Sequence, residues 1–236
     1  MLVIVGCLFN TAVASDVAED QLDGIIAEHW EFSLRENPTF ATSVGVNDFN
    51  DRLPGVSPAD RERWLAAERA FLRRTEDIDR SSLSLSGQTN LDLFQWVLED
   101  SIDDNELNLS RIPFNTFSGF FMNALTASNG VAMLTAKDYE DYIARMSDIP
   151  RYFRENIDNM RDGVESDFVL PQIVIDGVLP TIQAQLKENP EDSSFYEPFK
   201  AMSDRVSGVE QERLRAMGRE TIRDAVLPSF ESLAEF

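Results

Sequence analysis

Thr135-Ala136-Lys137-Asp138-Tyr139-Glu140-Asp141-Tyr142-Ile143-Ala144-Arg145-Met146-Ser147-Asp148-Ile149-Pro150, running on through Phe153, Ile157 and Met160 to Gly163, decides the fold class. Thr135 and Asp138 stand three apart, the spacing of a helix-opening capping box. Tyr139, Tyr142, Ile143 and Met146 then recur every three or four residues, which places them on one helical face. Asp148-Ile149-Pro150 opens a second helix with proline in its first turn. Phe153, Ile157 and Met160 form its apolar stripe, and Gly163 marks its expected end.

The same period extends in both directions. Asp16 with Glu19 predicts a helix to about Asn37, halted by Pro38, with Leu22, Ile25, Ile26, Trp30 and Leu34 on its apolar face. Ser57-Pro58 predicts a helix start; Trp64, Ala67, Phe71 and Leu72 carry that helix to about Ile78. After a polar connection at 81–87, Leu91, Phe94, Leu98 and Ile102 form a further stripe. Pro171 to Lys187 reads as a helix with Ile173, Val174, Val178, Ile182 and Leu186 inward, kinked or broken at Pro180. Ser207 with Glu210 begins a last helix through Leu214, Met217, Ile222 and Val226, bent near Pro228. Residues 108–134 have no clear period and read as a partly buried loop with short helical turns. No convincing strand pair is present, so the fold class is all-α.

The N-terminus points to export. Leu2 to Phe9 is a short apolar run followed by Ala12-Val13-Ala14, whose small residues suit cleavage after Ala14. Ile4-Val5-Gly6-Cys7 also fits a lipoprotein box in which Cys7 would carry a lipid anchor. Residues 1–14 are therefore expected to be a signal peptide and 15–236 a helical lobe, periplasmic or anchored to the bacterial envelope. No later apolar run reaches the length of about 18 residues that a membrane span needs.

Composition narrows the chemistry. The 236 residues hold 42 carboxylates against 21 Lys and Arg, a formal net charge of −21. Such a surface repels nucleic acid and anionic lipid. One histidine, His29, and one cysteine, Cys7, leave too few ligands for the usual zinc or di-iron sites and no Cys–His nucleophile. Around His29, Ile25, Ile26, Trp30 and Ser33 stand where metal-binding helices need histidine or glutamate, so a structural histidine is expected.

Glu99, Asp100, Asp103 and Asp104 share one helix face. They could form a hard-cation or acid–base site, or a solvated face. Asn47-Asp48-Phe49-Asn50-Asp51 resembles a calcium loop but has Arg52 and Pro58 where glycine and glutamate are needed, so Asx-turn chemistry is expected instead. Tyr139, Tyr142, Trp30 and Trp64 are expected to pack in the core. The aromatic stretch from Phe114 to Phe121 reads either as ordinary loop burial or as the lining of a peptide cleft.

One set of segments is more specific. Trp30-Glu31-Phe32-Ser33-Leu34-Arg35-Glu36-Asn37-Pro38-Thr39-Phe40-Ala41-Thr42-Ser43-Val44-Gly45, followed by Asp51-Arg52-Leu53-Pro54 and Ser57, resembles the opening of the bacterial domain of unknown function 885 family. Pro113-Phe114-Asn115 with Ser118-Gly119 is similar to that family too. So are Tyr142-Ile143-Ala144-Arg145-Met146 with Ile149-Pro150, Met160-Arg161-Asp162-Gly163 with Pro171, and Phe195-Tyr196-x-Pro198-Phe199. Members are mostly helical, exported or lipid-anchored, and much longer than this chain. They resemble zinc metallopeptidases with a His-Glu-x-x-x-Gly-His-type helix in the C-terminal half.

The resemblance implies an N-terminal lobe forming part of a peptide-binding channel and inactive alone. Zinc is expected only in a C-terminal half that this sequence lacks. No catalytic, cofactor or metal residue carries over, because no position here matches one. Asp48, Asp51, Asn115 and Phe117 are the candidate channel lining.

Two other function classes stay open: a stand-alone binding protein for basic peptides, and a two-carboxylate hydrolase such as a glycosidase. The latter needs facing carboxyls about 5 to 9.5 Å apart. A lobe made to pack on a missing half should also expose Val226, Leu227, Phe230, Leu233 and Phe236, or self-associate through them.

Overall fold

The computed structural model describes the backbone of residues 6–115 and 118–236, and side chains from residue 17 onward. The helices are α1 (Gly6–Glu36), α2 (Pro38–Ser43), α3 (Pro58–Glu76), α4 (Leu85–Glu106), α5 (Phe120–Leu125), α6 (Ala136–Ser147), α7 (Ile149–Glu165), α8 (Gln172–Gln183), α9 (Glu197–Lys200), α10 (Gly208–Thr221) and α11 (Leu227–Glu235). Among the described residues the only extended pairing is an isolated bridge between Phe114 and Gly119. The chain is all-α. Two compact units divide it: Met1–Ser33 with Pro58–Asn108, and Leu34–Ser57 with Leu109–Phe236.

In the first unit, α1, α3 and α4 close over Ala18, Leu22, Ile25, Ile78, Leu83 and Leu91. The anticipated stripe of α4 holds, with Leu91, Leu98 and Ile102 buried. Helix α1 does not begin at Asp16; it already runs from Gly6. Glu19 instead accepts the Ser84 N–H at 2.8 Å beside the start of α4, where helix N-termini favour anions. The α-carbon of Gly87 lies so near that carboxylate that a Cβ would meet it at 2.4 Å. Trp30 is 44% exposed, whereas Phe32 is buried against the rings of Trp64 and Phe71. Phe32 stands two turns on from Ile25 on the same side of α1, where the Trp64 and Phe71 rings pack, and Trp30 lies two positions away on the other side.

In the second unit, α6 and α7 are the centre. Both termini of the Thr135–Asp138 capping box are made, and Tyr139, Tyr142, Ile143 and Met146 are buried as their spacing requires. Tyr142 Oη donates to the Phe195 carbonyl at 3.1 Å, which satisfies its one buried polar atom. Helix α7 continues past Gly163 to Glu165. Gly163 is there for close packing: a Cβ would meet Phe168 O at 2.8 Å and Arg111 O at 3.1 Å. Helix α1 ends at Glu36, just ahead of Pro38 as expected, and α2 starts on Pro38 with Asn37 as its N-cap.

Two expectations fail toward the C-terminus. In α8 only Val178 and Ile182 are buried; Ile173 is 78% exposed and Leu186 also faces solvent. In the last helix Val226, Phe230 and Leu233 are buried within this chain, and of the anticipated apolar surface only Phe236 is exposed. A π-turn at Ile222–Val226 lies just ahead of Pro228, and α11 packs against α7 and α8.

Candidate functional site

Arg145 ties together three separate segments of the second unit. It is 1% exposed on the inner face of α6. Its Nη1 donates to Ala127 O at 2.9 Å, and its Nη2 donates to Thr42 Oγ1 and Phe49 O, both at 2.9 Å. Thr42 Oγ1 in turn donates to Asn50 Oδ1 at 2.6 Å, and Asn50 Nδ2 to Asn47 Oδ1 at 3.0 Å. The 47–51 run is thus a turn wired to a buried guanidinium. Burial pulls the Arg145 pKa down to about 10, while the nearby charges of Asp51 and Asp141 favour its charged form. Among the described residues no carboxylate bonds it directly, so neutral carbonyl, hydroxyl and amide oxygens carry the work.

Asp48 and Asp51 lie exposed on this turn. Next along the chain, Arg151 is gripped by Asp148 and Glu155, whose carboxylates also accept the Leu53 and Val56 N–H groups. The Asp51-Arg52-Leu53-Pro54 segment is therefore pinned to the start of α7.

A groove of about 550 Å³ lies elsewhere in the same unit. Its floor is Met160, Val178, Ile182 and Leu233; its rim includes Pro113, Phe114, Val169, Ile175 and Phe236. Arg111 and Glu235 are the charged residues of the lining. Such a trough can take apolar side chains of a ligand. With one carboxylate, it cannot supply the two that a glycosidase needs.

The sequence-derived candidates are not gathered at one place. Asp48 and Asp51 belong to the Arg145 turn. Asn115 sits at the tip of the Phe114–Gly119 bridge, where its Oδ1 accepts the Ser118 N–H at 3.0 Å, next to groove residues Pro113 and Phe114. Phe117 lies outside the described residues, as do the side chains of Cys7 and Ala14. The sequence reading places Val178 and Ile182 on the inner stripe of α8 and Leu233 and Phe236 on an exposed face of the last helix, so neither set points to a shared groove. The available signal was apolar residues off that stripe, Val164, Val169 and Ile175.

In the first unit, His29 Nε2 lies 3.1 Å from Glu68 Oε1, and its ring meets Phe71 and Phe94 edge-on with centroids 5.2 Å away. This is a structural histidine packed among aromatics. Glu99, Asp100, Asp103 and Asp104 are exposed on α4. Among the described residues no group of three or more His, Cys, Asp or Glu side chains is arranged to hold a metal, so these residues do not fit a zinc centre. No described helix is long and apolar enough to cross a membrane.

A family model described as "Bacterial protein of unknown function (DUF885)" matches residues 38–236. No curated protein sequence matches the chain. Among solved structures, the crystal structure of "the putative lipoprotein from Colwellia psychrerythraea" is similar, with a TM-score of 0.77 at 14% sequence identity. The match covers 92% of this chain and 40% of that one. At that identity the likeness is one of fold, and this chain spans well under half the length of its solved neighbour.

Proposed function

The chain belongs to the bacterial DUF885 family, and from that premise we propose that it forms the helical N-terminal lobe of an exported, zinc-metallopeptidase-like protein. In this reading it is one wall of a peptide-binding channel and has no catalytic power alone. The observation that carries the reading is the apolar groove, rimmed by the Pro113–Phe114 segment that also bears the family-like motif. Its breadth of apolar lining suits the side chains of an extended peptide, which a channel must hold without chemistry of its own. The much greater length of the similar solved structure supports a lobe that works with further polypeptide. That neighbour's description as a lipoprotein supports an envelope location, by cleavage after Ala14 or acylation of Cys7. The zinc-binding half is assigned to residues other than these. The groove's charge lends no support to a preference for basic peptides there.

Methyl NMR of Ile175, Val178, Leu179 and Leu233 during titration with an extended peptide rich in leucine and phenylalanine tests the channel wall. Shifts confined to groove methyls are expected, and a bound peptide that moves none of them refutes it. Stoichiometric zinc with chelator-sensitive peptidase activity in the purified chain would refute the claim that it is inactive alone.

A further inference from the structure

The outer face of α4 combines an apolar and an acidic stretch. Leu93, Trp96 and Val97 are all exposed, Trp96 by 61%. Their spacing of one, three and four residues places them on one side of the helix. The next two turns of that same side carry Asp100, Asp103 and Asp104, with Glu99 on their flank, all exposed. The inward face, Leu91, Leu98 and Ile102, is fully committed to the core. An apolar ridge and an acidic ridge thus lie end to end over roughly 16 Å of helix, at 1.5 Å per residue.

Nothing in the unit answers the acidic half. Among the described residues none of the four carboxylates has a basic partner, whereas neighbouring Asp92 is held by Arg80 and Glu106 by Arg69. Asp100 with Asp103 and Asp104, and Glu99 with Asp103, are like charges three and four apart, an arrangement that destabilises a helix. They also crowd the C-terminal end of α4, where the helix dipole favours cations, and the last turn contains no basic residue. The feature costs stability in isolation, and a cationic surface laid across it would remove that cost.

We propose that this face of α4 docks a cationic amphipathic helix from another polypeptide. Its apolar side chains cover Leu93, Trp96 and Val97, and its Lys or Arg residues meet Glu99, Asp100, Asp103 and Asp104. Charge complementarity selects this occupant. A second copy of the chain, at −21, meets the face with like charge, and so do nucleic acid and anionic lipid. The proposal is independent of the groove, so its failure leaves the channel wall untouched.

The test is calorimetric titration of the full chain with a designed helical peptide whose contact face bears leucines over two turns and lysines over the next two. A peptide of identical composition in scrambled order runs alongside. The ordered peptide is expected to bind at least about tenfold tighter than the scrambled one, a difference that charge alone does not produce. Asp100→Lys with Asp103→Lys, and separately Trp96→Ala, should each weaken it by about tenfold or more. Glu188→Lys with Glu231→Lys makes the same change in net charge in the second unit and should leave binding unchanged. Melting of the α4 charge-reversal variant at or above the parent temperature is also expected, since repulsion is relieved. Trp96 lies outside the core, so its variant reads docking even where the double variant folds poorly. Equal binding of both peptides, equal weakening by the two charge-reversal pairs, or no binding at all overturns the proposal.

Discussion

Replacing Arg145 by methionine removes the fork that ties α6 to the 42–50 turn. The methionine fills much of the buried volume but offers no donor, so the Ala127 and Phe49 carbonyls lose the hydrogen bonds they receive at 2.9 Å. Each buried acceptor left unsatisfied costs about 1–3 kcal/mol. The substitution also removes the cost of burying the guanidinium charge, reflected in a pKa pulled down to about 10, so the two effects oppose each other. The orphaned acceptors win, because two buried carbonyls and the Thr42 hydroxyl lose a charged donor at once. The net loss is about 2–4 kcal/mol, which for a chain of this size lowers the melting temperature by roughly 4–16 °C.

Arg145→Lys should be intermediate: one ammonium keeps the charge but cannot span both sets of acceptors from the same position. Urea unfolding followed by circular dichroism measures the loss, and amide hydrogen exchange locates it. The turn at 42–50 should exchange faster in the methionine variant than the backbone of α10. A methionine variant within 0.5 kcal/mol of the parent, which is the range of ordinary surface substitutions, would refute the argument that Arg145 anchors the turn.

Gly163→Ala should destabilise the second unit by about 1–3 kcal/mol, since the new Cβ meets two backbone carbonyls that cannot rotate away; differential scanning calorimetry reads it. Thr135→Ala removes the cap of α6 and should cost about 1 kcal/mol at neutral pH. Burial of the Asp138 carboxyl opposes its ionisation, but bonds from Thr135 and Leu134 outweigh that and hold its pKa below the ordinary 3.8. Its contribution is therefore complete above pH 3.8 and fades as pH falls through the lowered value. Unfolding curves across that range should show the dependence, and Asp138→Asn should flatten it. Burial also pushes the Tyr152 hydroxyl up to about 12, and Tyr142 is raised for the same reason. Their contribution is present below pH 10 and lost as pH rises through the folded values, so tyrosinate absorbance from these two should lag that of unfolded chain and rise with alkaline unfolding.

Much of the helical architecture was legible because a period of three to four residues and a capping pair are local properties. The 135–163 stretch shows this: Thr135, Asp138, Tyr139, Tyr142, Ile143 and Met146 behave as their spacing alone requires. So does the N-cap Ser207 ahead of α10. Local signals misled where two packings were nearly equal. Trp30 and Phe32 are both large and apolar on opposite sides of α1, and Ile173 and Val178 share one apparent stripe of α8, yet only Phe32 and Val178 are buried. The winner depends on which neighbours the rest of the chain supplies.

Sequence by itself determined the helical class, the acidic surface and the shortage of metal ligands, because propensity, charge and composition do not depend on what lies opposite. Only the tertiary structure decided that Arg145 is a buried hub, that Gly163 is a close-contact residue inside a helix, and that Val226, Phe230 and Leu233 face inward. Each of those is a relation between segments far apart in the chain. Thr42 and Arg145, or Arg111 and Gly163, carry no pattern that names the partner; long-range packing selects it from many sterically possible ones.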